Sequence, residues 1–159
     1  MAAKKIIYIG VAATLILILM SNTNKALAAI TKKQKIRGCD PLGCGSFGAR
    51  RGTHTHQGID IIATPGEDIY SPITGKVTRI AYPYASDLSY TGVEIVNEKY
   101  KVKMFYMSPT VAIPSVVTAG NKIGVAQNIS AKHGAAMTNH VHIEVRNSLN
   151  QLIDPTDLF

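Results

Sequence analysis

Two short segments of the sequence carry histidine and aspartate at spacings that can bring several ligands to one point. In "HQGID", His56 precedes Asp60 by four residues, and in "HVH", His140 precedes His142 by two. Residues an even number apart on a β-strand point to the same face of the sheet. If the two segments pair as strands, three or four imidazole and carboxylate groups meet in one cleft. Zinc binds this set of ligands, and a catalytic zinc site uses three of them.

The alternative interpretation is that these histidines are hydrogen-bonded residues of the core. The sequence contains two pairs of such residues, each spaced to point to one face of a strand, and one pair includes an aspartate. This pattern favours a metal site instead. The set contains no thiolate, which argues against an iron–sulfur cluster or copper(I). His54 and His133 lie outside the convergent set, and the sequence leaves their roles open.

The elements that must position these residues are short strands. Turn signals recur every eight to twelve residues, and no segment after residue 35 sustains a helical period over three turns. The pattern predicts an all-β domain with antiparallel sheets and a hairpin turn near residues 97–100. The alternation also predicts that Val141, Ile143 and Val145 face the core. The expected strands cover residues 58–63, 76–82, 93–96, 102–107, 122–126 and 140–145.

The N-terminus has the pattern of an export signal. Lys4 and Lys5 precede an apolar run over residues 6–20, and "ALA" at residues 26–28 resembles a cleavage site. A cleaved signal peptide and a retained membrane anchor both remain open, and both place the rest of the chain in the periplasm, the cell envelope or the medium. We therefore expect residues 1–35 to be leader and basic linker, and residues 36–159 to be one domain.

The chain carries 17 basic and 10 acidic residues, a formal net charge of +7. This excess suits an anionic surface such as a cell-wall polymer or lipid headgroups. Part of it is the cluster Lys32, Lys33, Lys35 and Arg37, which we interpret as a solvated linker. Basic and aromatic residues do not alternate as in an RNA-binding sheet, so we expect no nucleic-acid partner.

The two cysteines, Cys39 and Cys44, enclose the turn sequence "DPLG". In an exported protein, a close pair of cysteines predicts a disulfide. The alternative, half of a zinc knuckle, requires two further cysteines or histidines at knuckle spacing, and the neighbouring sequence has none.

The segments "HQGID", "VTAGNKIG" and "HVHIE", in this order and separation, resemble the lysostaphin/LytM-type zinc metallopeptidases, which cut peptidoglycan cross-bridges. The resemblance extends over about residues 43–159. Within the family, "GCDPLGCG", "VKMFYMSP" and "HVHIE" are most similar to the leukocyte cell-derived chemotaxin-like branch.

The resemblance implies an antiparallel β-sheet core with long loops around an open groove. It assigns a zinc ion to His56, Asp60 and His142, and it places His140 against the substrate as the catalytic imidazole. It further implies an exported, monomeric zinc metalloendopeptidase acting on peptidoglycan peptides. Ser108, His133 and Tyr90 are candidate residues of the substrate groove.

One residue departs from the family pattern. Active members carry a further histidine where this chain reads "FYMSP", so that Ser108 stands in its place. A serine hydroxyl can form hydrogen bonds but is no general base near neutral pH. The sequence therefore leaves two metal-dependent functions open: a peptidase, and a zinc-binding module without activity that binds cell-wall or protein ligands. A secreted β domain without metal is the third and weakest interpretation.

Overall fold

The computed structural model describes residues 25–159. It contains fourteen strands, one short α-helix and a terminal 3-10 turn over Thr156–Leu158. The first seven strands are β1 Cys39–Asp40, β2 Gly43–Cys44, β3 Arg50–Arg51, β4 His54–Thr55, β5 Ile59–Ile62, β6 Asp68–Tyr70 and β7 Gly75–Ala81. They are followed by β8 Gly92–Val96, β9 Tyr100–Phe105, β10 Met107–Pro109, β11 Ser115–Val117, β12 Lys122–Ala126, α1 Ser130–His133, β13 His140–Asn147 and β14 Leu152–Ile153.

The largest sheet has seven antiparallel strands in the order β11-β7-β8-β9-β13-β14, with β5 also paired to β13. One edge of β13 pairs with β9, and the other pairs first with β5 and then with β14. The strand that carries "HVH" is therefore held on both sides, which fixes the direction of its side chains. A second sheet has the order β10-β12-β6, and β1-β2 and β3-β4 are separate two-stranded pairs.

The core lies against one face of the large sheet. On β13, Val141, Ile143 and Val145 are fully buried, as the alternation predicts, and the histidines lie on the other face. The prediction of an all-β, antiparallel fold is confirmed. All six predicted strand regions are strands, with bounds that differ by up to two residues at either end.

The region before residue 36 contributes to the core. Leu27 and Ile30 are buried, and the Leu27 amide donates to the Leu158 carbonyl at 2.8 Å. Arg37, interpreted from sequence as part of a solvated linker, is only 3% exposed, so that interpretation is wrong for this residue. The division of the chain at residue 36 stays a prediction. The apolar run over residues 6–20 lies outside the described residues, and within residues 25–159 no helix is long and apolar enough to cross a membrane.

Candidate metal centre

Three residues converge on one point at the edge of β5 and β13. Asp60 on β5 is the direct cross-strand partner of His142 on β13. His56 precedes β5, in the connection from β4, so it reaches the site from a loop and not from the same strand as Asp60. His56 Nε2 lies 3.0 Å from Asp60 Oδ1, and His142 Nδ1 lies 2.9 Å from both of these atoms.

The donor set fits a metal ion. His56 Nδ1 lies 2.8 Å from the Ser46 carbonyl, which can only accept, so Nδ1 carries the proton and Nε2 presents a lone pair in the neutral ring. This lone pair faces Asp60 Oδ1 and His142 Nδ1. Without a metal, one proton on His142 Nδ1 must serve both neighbours, whereas a cation serves all three atoms. Tetrahedral zinc places neighbouring ligand atoms ~3.3 Å apart, close to the distances found.

The pKa values of the site reflect this crowding. Burial alone would raise the pKa of Asp60, but the hydrogen bond from His142 and the neighbouring imidazoles outweigh it and hold the pKa well below its ordinary value. Burial alone would lower the pKa of His142, yet its contacts with Asp60 and Glu144 raise the pKa overall. Asp60 is therefore ionised across the physiological range, as a metal ligand must be.

The second oxygen of Asp60 is also occupied. Arg37 donates to Asp60 Oδ2 from Nε at 3.2 Å and from Nη2 at 2.8 Å, and Arg51 approaches the same oxygen at 3.5 Å. Only Oδ1 is left to face the two histidines. Asp60 is thus presented to a metal through one oxygen.

His140 lies beside the three ligands and is 4% exposed. Its Nδ1 donates to the Thr138 carbonyl at 2.7 Å, so Nε2 presents the lone pair of the neutral ring, 3.5 Å from Asp60 Oδ1. Burial lowers the pKa of His140 to about 4 despite the nearby carboxylate. The ring is therefore neutral near pH 7, with the lone pair of Nε2 on the side of the ligand cluster.

The site opens into a cavity of about 460 Å³ whose opposite wall is aromatic. Tyr84 lies at its centre: its hydroxyl is 2.7 Å from His133 Nε2 and 3.2 Å from the Tyr106 hydroxyl. The Tyr106 ring meets the His140 ring edge-on, with centroids 5.5 Å apart. The contacts among Tyr106, Tyr84 and His133 therefore connect His140 to the rim of the cavity.

The predicted groove residues fall in different places. His133, at the end of α1, lines the cavity. Ser108 lies on β10 opposite Val125, outside the cavity lining, and Tyr90 packs against Tyr84 while its hydroxyl donates to the Asn128 carbonyl at 3.2 Å. The roles of these residues toward a substrate stay predictions, as does the catalytic role of His140.

The predicted disulfide between Cys39 and Cys44 is confirmed, with a sulfur–sulfur distance of 2.03 Å. It closes the β1-β2 hairpin, in which Cys39 and Cys44 are direct partners. The alternative of a zinc knuckle is excluded for these two residues, because their sulfur atoms are bonded to each other.

Sequence reasoning did not assign Arg37, Arg51, Tyr106 or Glu144 to the site, although all of them line the cavity. Glu144 could have been predicted from the sequence, because it follows His142 by two residues on β13 and therefore lies on the same face of the strand. Its Oε1 lies 3.6 Å from His142 Nε2, and its Oε2 accepts from Lys103 at 3.2 Å. The spacing of the other three residues gave no comparable signal.

Comparison with known proteins places this geometry in a family. The model of peptidase family M23 matches residues 54–155, which include all three candidate ligands. Leukocyte cell-derived chemotaxin-2 from Bos taurus is 31% identical over 119 residues, covering 74% of this chain and 78% of that protein.

Solved structures share the fold. Helicobacter pylori Csd3 superimposes with a TM-score of 0.57 at 22% identity, over 81% of this chain and 33% of the Csd3 chain. The antimicrobial peptidase lysostaphin from Staphylococcus simulans gives a TM-score of 0.52 at 15% identity, over 72% of this chain and 45% of that chain. This chain thus spans less than half the length of both structures, and at these identities the likeness concerns the fold.

Proposed function

Because the chain belongs to peptidase family M23, we propose that it is an exported zinc metalloendopeptidase that hydrolyses peptide bonds in peptidoglycan cross-links or stem peptides. The observation that carries the proposal is the convergence of His56 Nε2, Asp60 Oδ1 and His142 Nδ1 beside an open cavity. A zinc ion bound there would supply an activated water near neutral pH and polarise the scissile carbonyl.

The residues around the ligands have distinct tasks in this proposal. His140, neutral and with Nε2 directed toward the ligand cluster, accepts the proton of the attacking water. The position of Ser108 outside the cavity leaves proton donation to other groups. Tyr106 and His133, connected through the Tyr84 hydroxyl, are the donors that line the cavity in its place.

Metal content tests the first half of the proposal. The purified chain should hold close to one zinc per molecule by elemental analysis, and His56→Ala should reduce this below about a tenth. His54→Ala is the matched control, because His54 is exposed and lies two residues away outside the cavity lining. Equal zinc loss in both variants would refute the assignment of His56.

Digestion of purified peptidoglycan tests the second half. Mass spectrometry should detect new amine ends with the zinc-loaded chain, and these should fall by roughly 10²–10⁴ in His140→Ala if that residue moves a proton. The His54→Ala variant should cleave like the wild-type chain.

A second candidate function is a zinc-binding module without peptidase activity, and Ser108 is the observation that favours it. This candidate predicts full zinc content and sedimentation with peptidoglycan, but no new amine ends. New ends from the wild-type chain that disappear in His140→Ala would eliminate it.

We propose that the domain acts outside the cytoplasm as a monomer, with a disulfide suited to that environment. Cleavage after Ala28 would remove Leu27, whose buried side chain and amide hydrogen bond belong to the fold. The exported form should therefore begin before Leu27 or keep the leader as an anchor. N-terminal sequencing of the exported protein tests this, and a first residue at Ala29 would contradict it.

A further inference from the structure

Arg37 stands directly behind the candidate metal centre. It is 3% exposed, and its planar guanidinium contacts two aspartates on opposite sides. Nε and Nη2 both donate to Asp60 Oδ2, while Nη1 donates to Asp40 Oδ2 and, at 2.8 Å, to the Gly43 carbonyl. Both acceptors of Nη1 belong to the disulfide-closed hairpin, so this hairpin fixes the guanidinium from the side away from the metal centre.

Asp40 extends the same network to the imidazole of His140. The Thr138 amide donates to Asp40 Oδ2 at 3.1 Å, and the Thr138 carbonyl accepts from His140 Nδ1 at 2.7 Å. One carboxylate of the hairpin therefore holds Arg37 on one side and the backbone of Thr138 on the other. Through these two contacts it reaches both Asp60 and His140.

We propose that Arg37 and Asp40 are positioning residues: Arg37 reserves Oδ2 of Asp60 so that the metal is bound through Oδ1 alone, and Asp40 fixes Arg37 and the ring of His140. The metal part of this inference rests on the proposed zinc site. A guanidinium is suited to the task because two donors of its rigid plane, Nε and Nη2, can occupy one carboxylate oxygen together, whereas a lysine ammonium is a point charge without this fixed geometry. Groups that orient metal ligands in this way commonly contribute 10–100-fold to metal affinity.

The variant Arg37→Lys separates orientation from charge. It keeps the positive charge beside Asp60 and removes the fork, so a purely electrostatic role predicts no change. The positioning role predicts that the zinc dissociation constant, measured by competition with a chelator, rises by roughly 10–100-fold. It also predicts that the intense visible absorption of four-coordinate cobalt(II) in the same site weakens, because a released Asp60 can bind through both oxygens.

The matched control is Arg79→Lys. Arg79 also donates to a carboxylate through Nε at 3.2 Å and Nη2 at 2.8 Å, in this case to the two oxygens of Glu94, away from the cavity. The metal affinity and the cobalt spectrum of Arg79→Lys should equal those of the wild-type chain. Circular dichroism of the metal-free proteins verifies that each variant is folded before metal is added.

Asp40→Asn provides a second test, and its first readout needs no metal. The wild-type His140 should show the tautomer protonated at Nδ1 in nitrogen-15 spectra of the metal-free chain, whereas Asp40→Asn should give a mixture of tautomers and about a tenfold loss of zinc affinity.

The outcomes separate this inference from the proposed function. If the wild-type chain binds cobalt in four-coordinate form, and Arg37→Lys matches it within twofold in affinity and in spectrum, the positioning role is refuted and the zinc site stands. If the wild-type chain binds neither zinc nor cobalt, both the zinc site and the metal part of the inference fail. An unchanged His140 tautomer in Asp40→Asn would refute the role of Asp40 in either case.

Discussion

The two walls of the cavity are built in different ways. The ligand wall is buried and polar: Asp60, on β5, is 1% exposed and is held by the buried Arg37, and His56, in the preceding loop, is 8% exposed and is held by the Ser46 carbonyl. The opposite wall, with Tyr84 and His133, comes from the loop before β8 and from α1, and His133 is exposed. The candidate metal ligands thus depend on the core, whereas the opposite wall of the cavity depends on loops.

This difference explains how one chain can keep the three candidate ligands while Ser108 stands where the resemblance predicts a histidine. Position 108 belongs to β10, in the second sheet, while the ligands belong to the large sheet and its flanking loop. A substitution at Ser108 therefore leaves the contacts of Asp60 and His142 unchanged. The two walls can vary independently, and the following predictions test that independence.

The largest effect should come from Asp60→Ala on the ligand wall. Removing this carboxylate abolishes the metal centre and leaves the buried Arg37 with Asp40 as its remaining carboxylate partner. Leaving a buried charge without its partner costs about 3–5 kcal/mol, and the contact with Asp40 places this case near the lower value. Urea unfolding of the metal-free chain, with chelator present, measures this cost apart from the loss of zinc.

Asp87→Ala is the control for that measurement, since Asp87 lies in the loop that brings Tyr84 to the loop wall and has an exposed lysine as its partner. Its free energy of unfolding should stay close to the wild-type value, because solvent screens an exposed ion pair. If Asp60→Ala were as mild as Asp87→Ala, the ligand wall would not be the rigid side of the cavity.

Much of the ligand wall could be predicted from the sequence because its signals are local. A period of two defines strands, and spacings of four and two place His56 with Asp60 and His140 with His142. The candidate ligands then converge once the two segments pair as neighbouring strands, as β5 and β13 do. Even so, His56 reaches the site from a loop, so the spacing indicated convergence for a partly wrong reason.

Arg37 could not be predicted in the same way. It stands in a run of basic residues, and an arginine in such a run is usually solvated. Its burial depends on two aspartates, one three residues away and one 23 residues away. The second of these contacts exists only once the strands have assembled.

Tyr106 could not be predicted as a residue of the cavity, because the alternation of inward and outward side chains is broken at this position. Val102 and Met104 point into the core, so the period of two would send residue 106 inward as well. Its φ of 66° changes the phase between β9 and β10, and Met107 is buried instead. Tyr106 therefore lines the cavity, whereas Ser108 does not.

The next largest effect should come from Cys39→Ser combined with Cys44→Ser, which opens the hairpin that supports the ligand wall. The disulfide joins residues only five apart, so its contribution to the free energy of unfolding is about 2 kcal/mol, the low end of the usual range. Chemical unfolding measures this cost. Zinc affinity should fall too, because Asp40 and Gly43 lose their fixed positions behind Arg37. Unchanged zinc affinity would show that the hairpin stabilises the fold without acting on the site.

A smaller effect is expected for Tyr84→Phe on the loop wall. The variant removes the hydroxyl that connects His133 with Tyr106, which costs about 0.5–1.5 kcal/mol per hydrogen bond at most. Zinc content should stay at the wild-type level, whereas cleavage of peptidoglycan should decrease if this chain of groups donates a proton. Loss of zinc in Tyr84→Phe would contradict the independence of the two walls.

The smallest effect concerns the exposed contact between Asp87 and Lys132, whose ammonium also lies 4.5 Å from the centre of the Tyr84 ring. The hydrogen bond from Lys132, with a second from Ser89, lowers the pKa of Asp87 to about 2. A carboxyl whose pKa is lowered in the folded state stabilises the protein when the pH is above its ordinary pKa. This contribution disappears as the pH falls from about 4 to about 2.

In Lys132→Met, the pKa of Asp87 should rise part of the way to its ordinary value, because Ser89 still donates to the carboxylate. Carbon-13 spectra of the side-chain carboxyl measure this shift directly. The shift should shrink at high salt, since the pair is exposed to solvent. It should also be the same with and without zinc, because Asp87 belongs to the loop wall. A zinc-dependent pKa of Asp87 would mean that the two walls are coupled after all.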